Sequence, residues 1–279
     1  MMDYLKELSV ARQLAEQAGE LISNAWEKNV KVSYKNDIEA VSEIDFASEK
    51  LILSGLKSAF PNDLLCGEES GQIQEALKHN GRVWFVDPLD GTVNFAHGLP
   101  HFCVCIALVE NHQVQMGIIY DPIRHWCFHA IRGGGAWRNG KKLSLSDSQM
   151  GATDSLLRSV IATGFPYDRR EFDNTPELKA MLARCQCIRR QGSAALDLAY
   201  VASGWLNGYW EYALKPWDVA AGALLLEEAG GMVTDEKGGD QWLSGSGMVA
   251  STSVLHPQIL EVISQVRSQT HSQDQKNRV

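Results

Sequence analysis

The apolar run Val83-Trp84-Phe85-Val86 reads as a strand, and it runs directly into Asp87-Pro88-Leu89-Asp90-Gly91-Thr92. Pro88 fixes its own φ and pushes Asp87 towards an extended conformation, so the strand should continue through Asp87 and break sharply afterwards. Gly91 lets the backbone approach a ligand, and the N–H groups of Gly91 and Thr92 can meet an anion where a helix begins. Two aspartates on one rigid turn can hold adjacent hard cations through oxygen. The same hexapeptide also suits an acidic turn with a helix cap.

Other short segments have the same character. Leu64-Leu65-Cys66-Gly67 is an apolar strand that delivers Glu68-Glu69-Ser70 at its end, where Glu68 can join Asp87 on a metal. A Glu-Glu pair after a strand also suits a solvated loop. Asp218 opens a helix, where it can serve as a cap, and Asp45 has the same alternative.

The chain has 279 residues, 44% of them hydrophobic, enough for a substantial core in one large body or two closely packed halves. A net charge of −8 argues against broad electrostatic attraction to nucleic acid or anionic membrane. An anionic substrate in such an acidic chain needs bridging cations. The first residues lack a basic segment followed by an apolar one, and no stretch approaches a membrane span, so the protein is expected to be soluble and cytoplasmic. Six cysteines without C-x-x-C spacing read as buried reduced thiols. Gly133-Gly134-Gly135 and Asn139-Gly140 read as turns, with no dinucleotide-binding context.

Periodicity predicts helices over 3–28, from Asp45 to Ala59, around Thr175 to Cys185, from Gly192 towards Gly204, from Val219 to Ala229, and after Pro257. Strands are predicted at Val30–Lys35, Leu64–Gly67, Val83–Asp87, Cys103–Glu110, Val114–Tyr120, Trp126–Arg132, Ser159–Thr163, Met232–Asp235 and Met248–Ala250. The polar segment from Ser268 to Val279 is expected to be frayed. His97 and His101 read as surface or loop residues, and His125 and His129 as packing residues in a strand.

Taken together, Gly67-Glu68-Glu69-Ser70, Trp84 to Thr92, Gly192-Ser193-Ala194-Ala195-Leu196-Asp197 and Trp217-Asp218-Val219-Ala220-Ala221-Gly222 ahead of Glu228-Ala229-Gly230-Gly231 resemble the inositol monophosphatase family, whose members are lithium-sensitive, magnesium-dependent phosphatases. The resemblance runs from about Lys35 to Gly239 and leans towards bacterial members. It implies an α/β fold, a layered αβαβα sandwich of the sugar-phosphatase type. An N-terminal α+β half (1–145) and a C-terminal α/β half (146–267) would form a single domain with a polar tail (268–279).

Carried over position by position, the resemblance implies that Glu68, Asp87 and the Leu89 carbonyl hold one Mg²⁺. Asp87, Asp90 and Asp218 would hold a second, with a looser third ion near Glu68. Asp45 and Thr92 match positions that orient and help deprotonate the attacking water, so Asp45, Glu68 and Thr92 form the catalytic set. Lys35 matches a lysine near the metals. Gly91 and Thr92 would hold phosphate oxygens, Gly192, Ser193 and Ala194 would face the alcohol, Glu211 would accept from its hydroxyls, and Asp218 would border the substrate. Arg190 can approach phosphate or a neighbouring subunit.

Several positions depart from the family pattern: Val93, Ser42 and Glu39 replace frequent threonine, threonine and aspartate, and Lys215 stands where animal enzymes carry histidine. The implied function is hydrolysis of a small phosphorylated polyol, inositol monophosphate first, by metal-activated water. Fold relatives acting on fructose 1,6-bisphosphate, nucleotide 3′,5′-bisphosphates or histidinol phosphate define the alternatives. A homodimer and lithium sensitivity are also implied. A rival reading is a regulatory protein acting on the transcription machinery, as some bacterial relatives do.

Overall fold

In the computed structural model, which describes residues 4–26, 28, 32–34, 40–146, 152–166 and 173–276, helix α1 (Leu5–Ala25) buries Ala11, Leu14, Ala15, Ala18 and Ile22. This is the spacing that places one apolar stripe on a helix. Lys35 and Glu39 lie outside the described residues, as does half of the strand predicted at Val30–Lys35. What is described there is β1 (Val32–Tyr34), paired antiparallel with β2 (Ala40–Ser42). Helix α2 (Glu43–Ala59) follows, and a reciprocal cap sets its start. The Ser42 hydroxyl accepts from Ile44 N–H, and Asp45 accepts from Ser42 N–H.

A seven-stranded sheet comes next, its strands side by side in chain order: β3 (Leu64–Gly67), β4 (Arg82–Asp90), β5 (Cys103–Glu110), β6 (Gln113–Asp121), β7 (Trp126–Ile131), β8 (Gly135–Arg138) and β9 (Lys141–Leu143). Strands β3 and β4 run parallel, and the later neighbours antiparallel. Helices α3 (Ile73–Lys78) and α4 (Thr92–Ala96) interrupt the strand sequence. Strands β8 and β9, unanticipated, flank the Asn139-Gly140 turn. Both turn residues have positive φ, 47° and 79°, the conformation that matches hairpin twist.

The second half alternates strands and helices: β10 (Val160–Thr163), α5 (Thr175–Leu182), β11 (Cys187–Arg189), α6 (Ala194–Ala202), β12 (Gly208–Tyr212), α7 (Pro216–Glu228), β13 (Met232–Thr234), β14 (Gly247–Ser251) and α8 (His256–Lys276). Its five strands lie in the order β11-β10-β12-β14-β13. The segment from Ser268, expected to fray, continues α8 as far as Lys276.

Among the described residues, three hydrophobic clusters hold five layers together, one of them on both faces of the middle layer. Helices α1 and α2 cover one face of the larger sheet, α6 and α7 fill the space between the two sheets, and α5 and α8 cover the outer face of the smaller one. This is the αβαβα sandwich expected from the resemblance. Small residues set the spacing of the middle layer. A Cβ on Gly117 of β6 would lie 2.6 Å from Ala221 Cα, and one on Gly222 would lie 2.5 Å from Leu198 Cβ. Helix α7 therefore sits hard against both β6 and α6.

Candidate active site

Strand β4 does not stop at Asp87. Asp87 pairs with Cys105 and Asp90 with Cys103, so β4 carries one residue more than β5 across this interval, a bulge at Pro88-Leu89. Pro88 has no N–H to lose from the ladder, and its carbonyl accepts from Ser48 Oγ at 2.9 Å. Leu89 N–H turns instead to Asp87 Oδ1 at 3.0 Å. The bulge takes the place of the predicted break and brings Asp87, Leu89 and Asp90 to one cavity of about 390 Å³. Gly91 follows with φ 99°, which allows the chain to turn into α4.

Glu68, at the end of β3, and Asp218, in the first turn of α7, border the same cavity. Burial raises the Asp87 carboxyl well above the usual range, and the charges of Glu68, Asp90 and Asp218 push it further. Asp218 is raised for the same reasons, burial first and Glu68 next. Asp90 is pushed up to about 6 by burial, against the pull of its hydrogen bonds to Ser193 and Ala195. Crowded, like-charged oxygen donors of this kind are relieved by hard cations.

Cys103 and Cys105 lie across the ladder, but burial raises both thiols, so they offer no competing soft thiolate. Among the described residues no three His, Cys, Asp or Glu side chains close into a ready-made metal cage. The acids line a shared cavity instead, which suits an ion such as Mg²⁺ that keeps several waters and takes few carboxylates plus phosphate oxygens.

Asp90 is also the joint between the halves. Its Oδ2 accepts from Ser193 Oγ at 2.7 Å and from Ala195 N–H at 2.8 Å, at the start of α6. Ser193 Oγ in turn accepts from Leu196 N–H, so the expected cap is present as well. Nearby, Asn94 Nδ2 donates to the His101 carbonyl at 2.7 Å and the Gln191 carbonyl at 2.8 Å. Gly192, at φ 85°, passes so close that a Cβ would lie 3.2 Å from that Asn94 nitrogen. Nothing in the sequence singled out Asn94.

The Thr92 hydroxyl donates to Asp45 Oδ1 at 2.9 Å and also lies 3.0 Å from the Leu89 carbonyl. Asp45 Oδ2 accepts from Ser42 N–H at 2.8 Å and Ser42 Oγ at 2.6 Å. Burial raises its carboxyl above the usual value. Asp45 is thus a capping residue and the partner of Thr92 at once. It lies behind the cavity, while Thr92 lines it. Asp218 has a similar double position, its Oδ2 accepting from Lys215 N–H at 2.7 Å.

Glu211 reaches the cavity from β12, a strand the sequence reading missed because Tyr209, Trp210 and Tyr212 are all buried and show no alternation. Burial pushes its carboxyl up to about 7, against the pull of Tyr209 and Arg190. Gly91, Gly192, Ser193, Ala194, Arg190 and Lys215 line the same space. Glu49, another unforeseen residue, arranges the Glu68-Glu69-Ser70 turn by accepting from Glu69 N–H at 2.8 Å and from the Ser70 hydroxyl. A Cβ on Gly67 would lie 2.2 Å from Glu49 Oε2, which explains that glycine.

His101 lies in the loop before β5, as expected, half-buried with its ring edge-on to Tyr200 at 5.8 Å, and burial lowers its pKa to about 4. One histidine departs from expectation. His125 lies in the turn before β7 with φ 53°, outside the strand proper. All six cysteines are free thiols.

Comparison with known proteins adds to this geometry. The chain matches the model of the inositol monophosphatase family over residues 3–268. It is 39% identical over 261 residues to the inositol-1-monophosphatase of Mesorhizobium japonicum, covering 92% of this chain and 95% of that protein. It is 38% identical over 262 residues to Nus factor SuhB of Pseudomonas aeruginosa, with the same shares covered. The solved structure of inositol monophosphatase from Anabaena aligns with a TM-score of 0.82 at 37% identity, covering 93% of this chain and 96% of that one.

Proposed function

Because the chain belongs to the inositol monophosphatase family, we propose that it is a Mg²⁺-dependent phosphomonoesterase whose preferred substrate is an inositol monophosphate. The observation that carries this reading is the single cavity shared by four acids from three elements and by Glu211. Glu68, Asp87 and the Leu89 carbonyl would hold one ion, and Asp87, Asp90 and Asp218 a second. A third, looser ion would lie near Glu68. When bound, Mg²⁺ lowers the pKa of water and neutralises charge on the phosphate and the departing alkoxide.

The chain's own groups do the rest. The Thr92 hydroxyl gives its hydrogen to Asp45 and so presents a lone pair that can take a proton from the attacking water. Ser42 holds the other Asp45 oxygen and fixes the direction of that relay. Gly91 and Thr92 N–H groups meet phosphate oxygens. Gly192 and Ala194 border the alcohol, and Glu211 accepts from its hydroxyls. Ser193 acts chiefly through Asp90, because its hydrogen is committed there.

The test is phosphate release from inositol 1-phosphate, fructose 1,6-bisphosphate, adenosine 3′,5′-bisphosphate and histidinol phosphate, with and without Mg²⁺. A Mg²⁺-dependent preference for inositol 1-phosphate is expected; a clear preference for another member of the panel replaces the substrate assignment. Li⁺ should inhibit uncompetitively by occupying the more weakly held site beside Asp90 and Asp218.

The name of the Pseudomonas relative favours a second reading, a regulatory role with the transcription machinery. A folded Asp90→Asn variant that restores growth to a strain lacking the gene supports that role. Failure of the same variant supports catalysis.

A further inference from the structure

Glu211 is held from behind. Tyr209 and Glu211 are two positions apart on β12, so their side chains leave the same face of the strand. The fully buried Tyr209 hydroxyl donates to Glu211 Oε2. Gly164 closes the other side: a Cβ there would lie 2.0 Å from Oε2 and 2.1 Å from Oε1. Asn174 Nδ2, itself buried, donates to the Gly164 carbonyl at 2.6 Å and keeps that backbone in place. Glu211 and Gly164 face the cavity, with Tyr209 behind them.

A glutamate carboxylate on three rotatable bonds loses entropy when it must meet a ligand hydroxyl, and prior immobilisation removes that cost at binding. Resting on the phosphomonoesterase reading, we propose that Tyr209 is a positioning residue which, with the Gly164 seat, fixes the Glu211 carboxylate to accept from the hydroxyls of a ring polyol, and so sets selectivity for polyol phosphates over aryl phosphates. The Tyr209 hydrogen bond and the Arg190 charge also favour the ionised form of Glu211, the form that can only accept.

The experiment compares kcat and KM for inositol 1-phosphate and p-nitrophenyl phosphate, which offers Glu211 no hydroxyl, in wild type, Glu211→Gln, Tyr209→Phe and Gly164→Ala. Loss of one such hydrogen bond should raise KM for inositol 1-phosphate about tenfold in Tyr209→Phe, with kcat within about twofold. The kcat/KM ratio of the polyol over the aryl substrate should fall by a similar factor, and Gly164→Ala should shift it the same way. Thermal melts report folding, and if Tyr209→Phe does not fold, Gly164→Ala decides the question alone.

If Glu211→Gln shows the KM effect and the other two variants do not, the positioning role is wrong and the polyol reading stands. Equal KM increases for both substrates in Tyr209→Phe overturn the proposal as a merely structural effect. If Glu211→Gln itself leaves the ratio unchanged, the polyol reading and the proposal fall together.

Discussion

Asp90 has two tasks, and its two oxygens are not equivalent. Oδ2 accepts from Ser193 and Ala195, while the carboxylate as a whole lines the acid-rich cavity. Asp90→Asn should lower turnover by at least about a hundredfold, since the proposed second ion loses a charged ligand. Ser193→Ala removes one donor and leaves the other, so the apparent Mg²⁺ affinity should fall about tenfold, with kcat largely recovered at saturating Mg²⁺. A Mg²⁺ titration of activity separates the two outcomes, and a Ser193→Ala variant with normal Mg²⁺ dependence removes Ser193 from the proposed site. Asp87 and Asp90 were legible in the sequence because an apolar run and a proline turn announce them locally. Asn94, Glu49 and Asn174 were not, because they donate to or accept from backbone atoms that only the fold brings near.

Among elements, α7 places Asp218, and its placement rests on glycine. A methyl at Gly117 would meet Ala221 Cα at 2.6 Å, an atom of the helix backbone that cannot swing aside. Gly117→Ala should therefore cost about 1–3 kcal/mol through overpacking. It should also weaken Mg²⁺-dependent activity as α7 shifts. Thermal denaturation and a Mg²⁺ titration check both, and unchanged values in each show that the sheet yields instead. Periodicity and caps announced α1, α2, α6 and α7, but β12 escaped because its buried residues do not alternate, and β8, β9 and β11 because Gly, Lys and Arg leave them no apolar run. The β4 bulge escaped for another reason: Pro88 announces an interruption, but whether the ladder resumes depends on the partner strand.

For the whole molecule, the acid cluster makes stability depend on pH and metal. Carboxyls whose folded pKa is raised bind more protons in the native state, so stability falls as pH rises from the ordinary aspartate value near 3.8 through about 6 for Asp90, and Asp87 and Asp218, both raised well above that ordinary value, act in the same direction. Without divalent cations, the melting temperature should decrease from pH 5 to pH 8. Mg²⁺ should raise it, and more at pH 8 than at pH 5. Melts in EDTA and in Mg²⁺ at the two pH values test this, and a Mg²⁺ effect absent at pH 8 counts against the proposed metal site. Because one hydrophobic cluster includes β4 to β8, α6, α7 and the smaller sheet, both halves should unfold in a single transition. The layered architecture was legible through the family motifs; the joint between the halves was not, since Asp90 and Ser193 lie 103 residues apart.

Helix α7 has almost no side turned to water. Val219 to Leu226 are buried, Asp218 opens into the cavity, Glu227 pairs with Arg132, and Glu228 accepts from Gly133 and Gly135 N–H. Such a segment has little room for sequence drift: a larger residue strikes a sheet, a polar one finds no partner, and its few acids are already engaged. In a library of random variants, 216–228 should tolerate the fewest changes of any helix, while the polar end of α8 should absorb many.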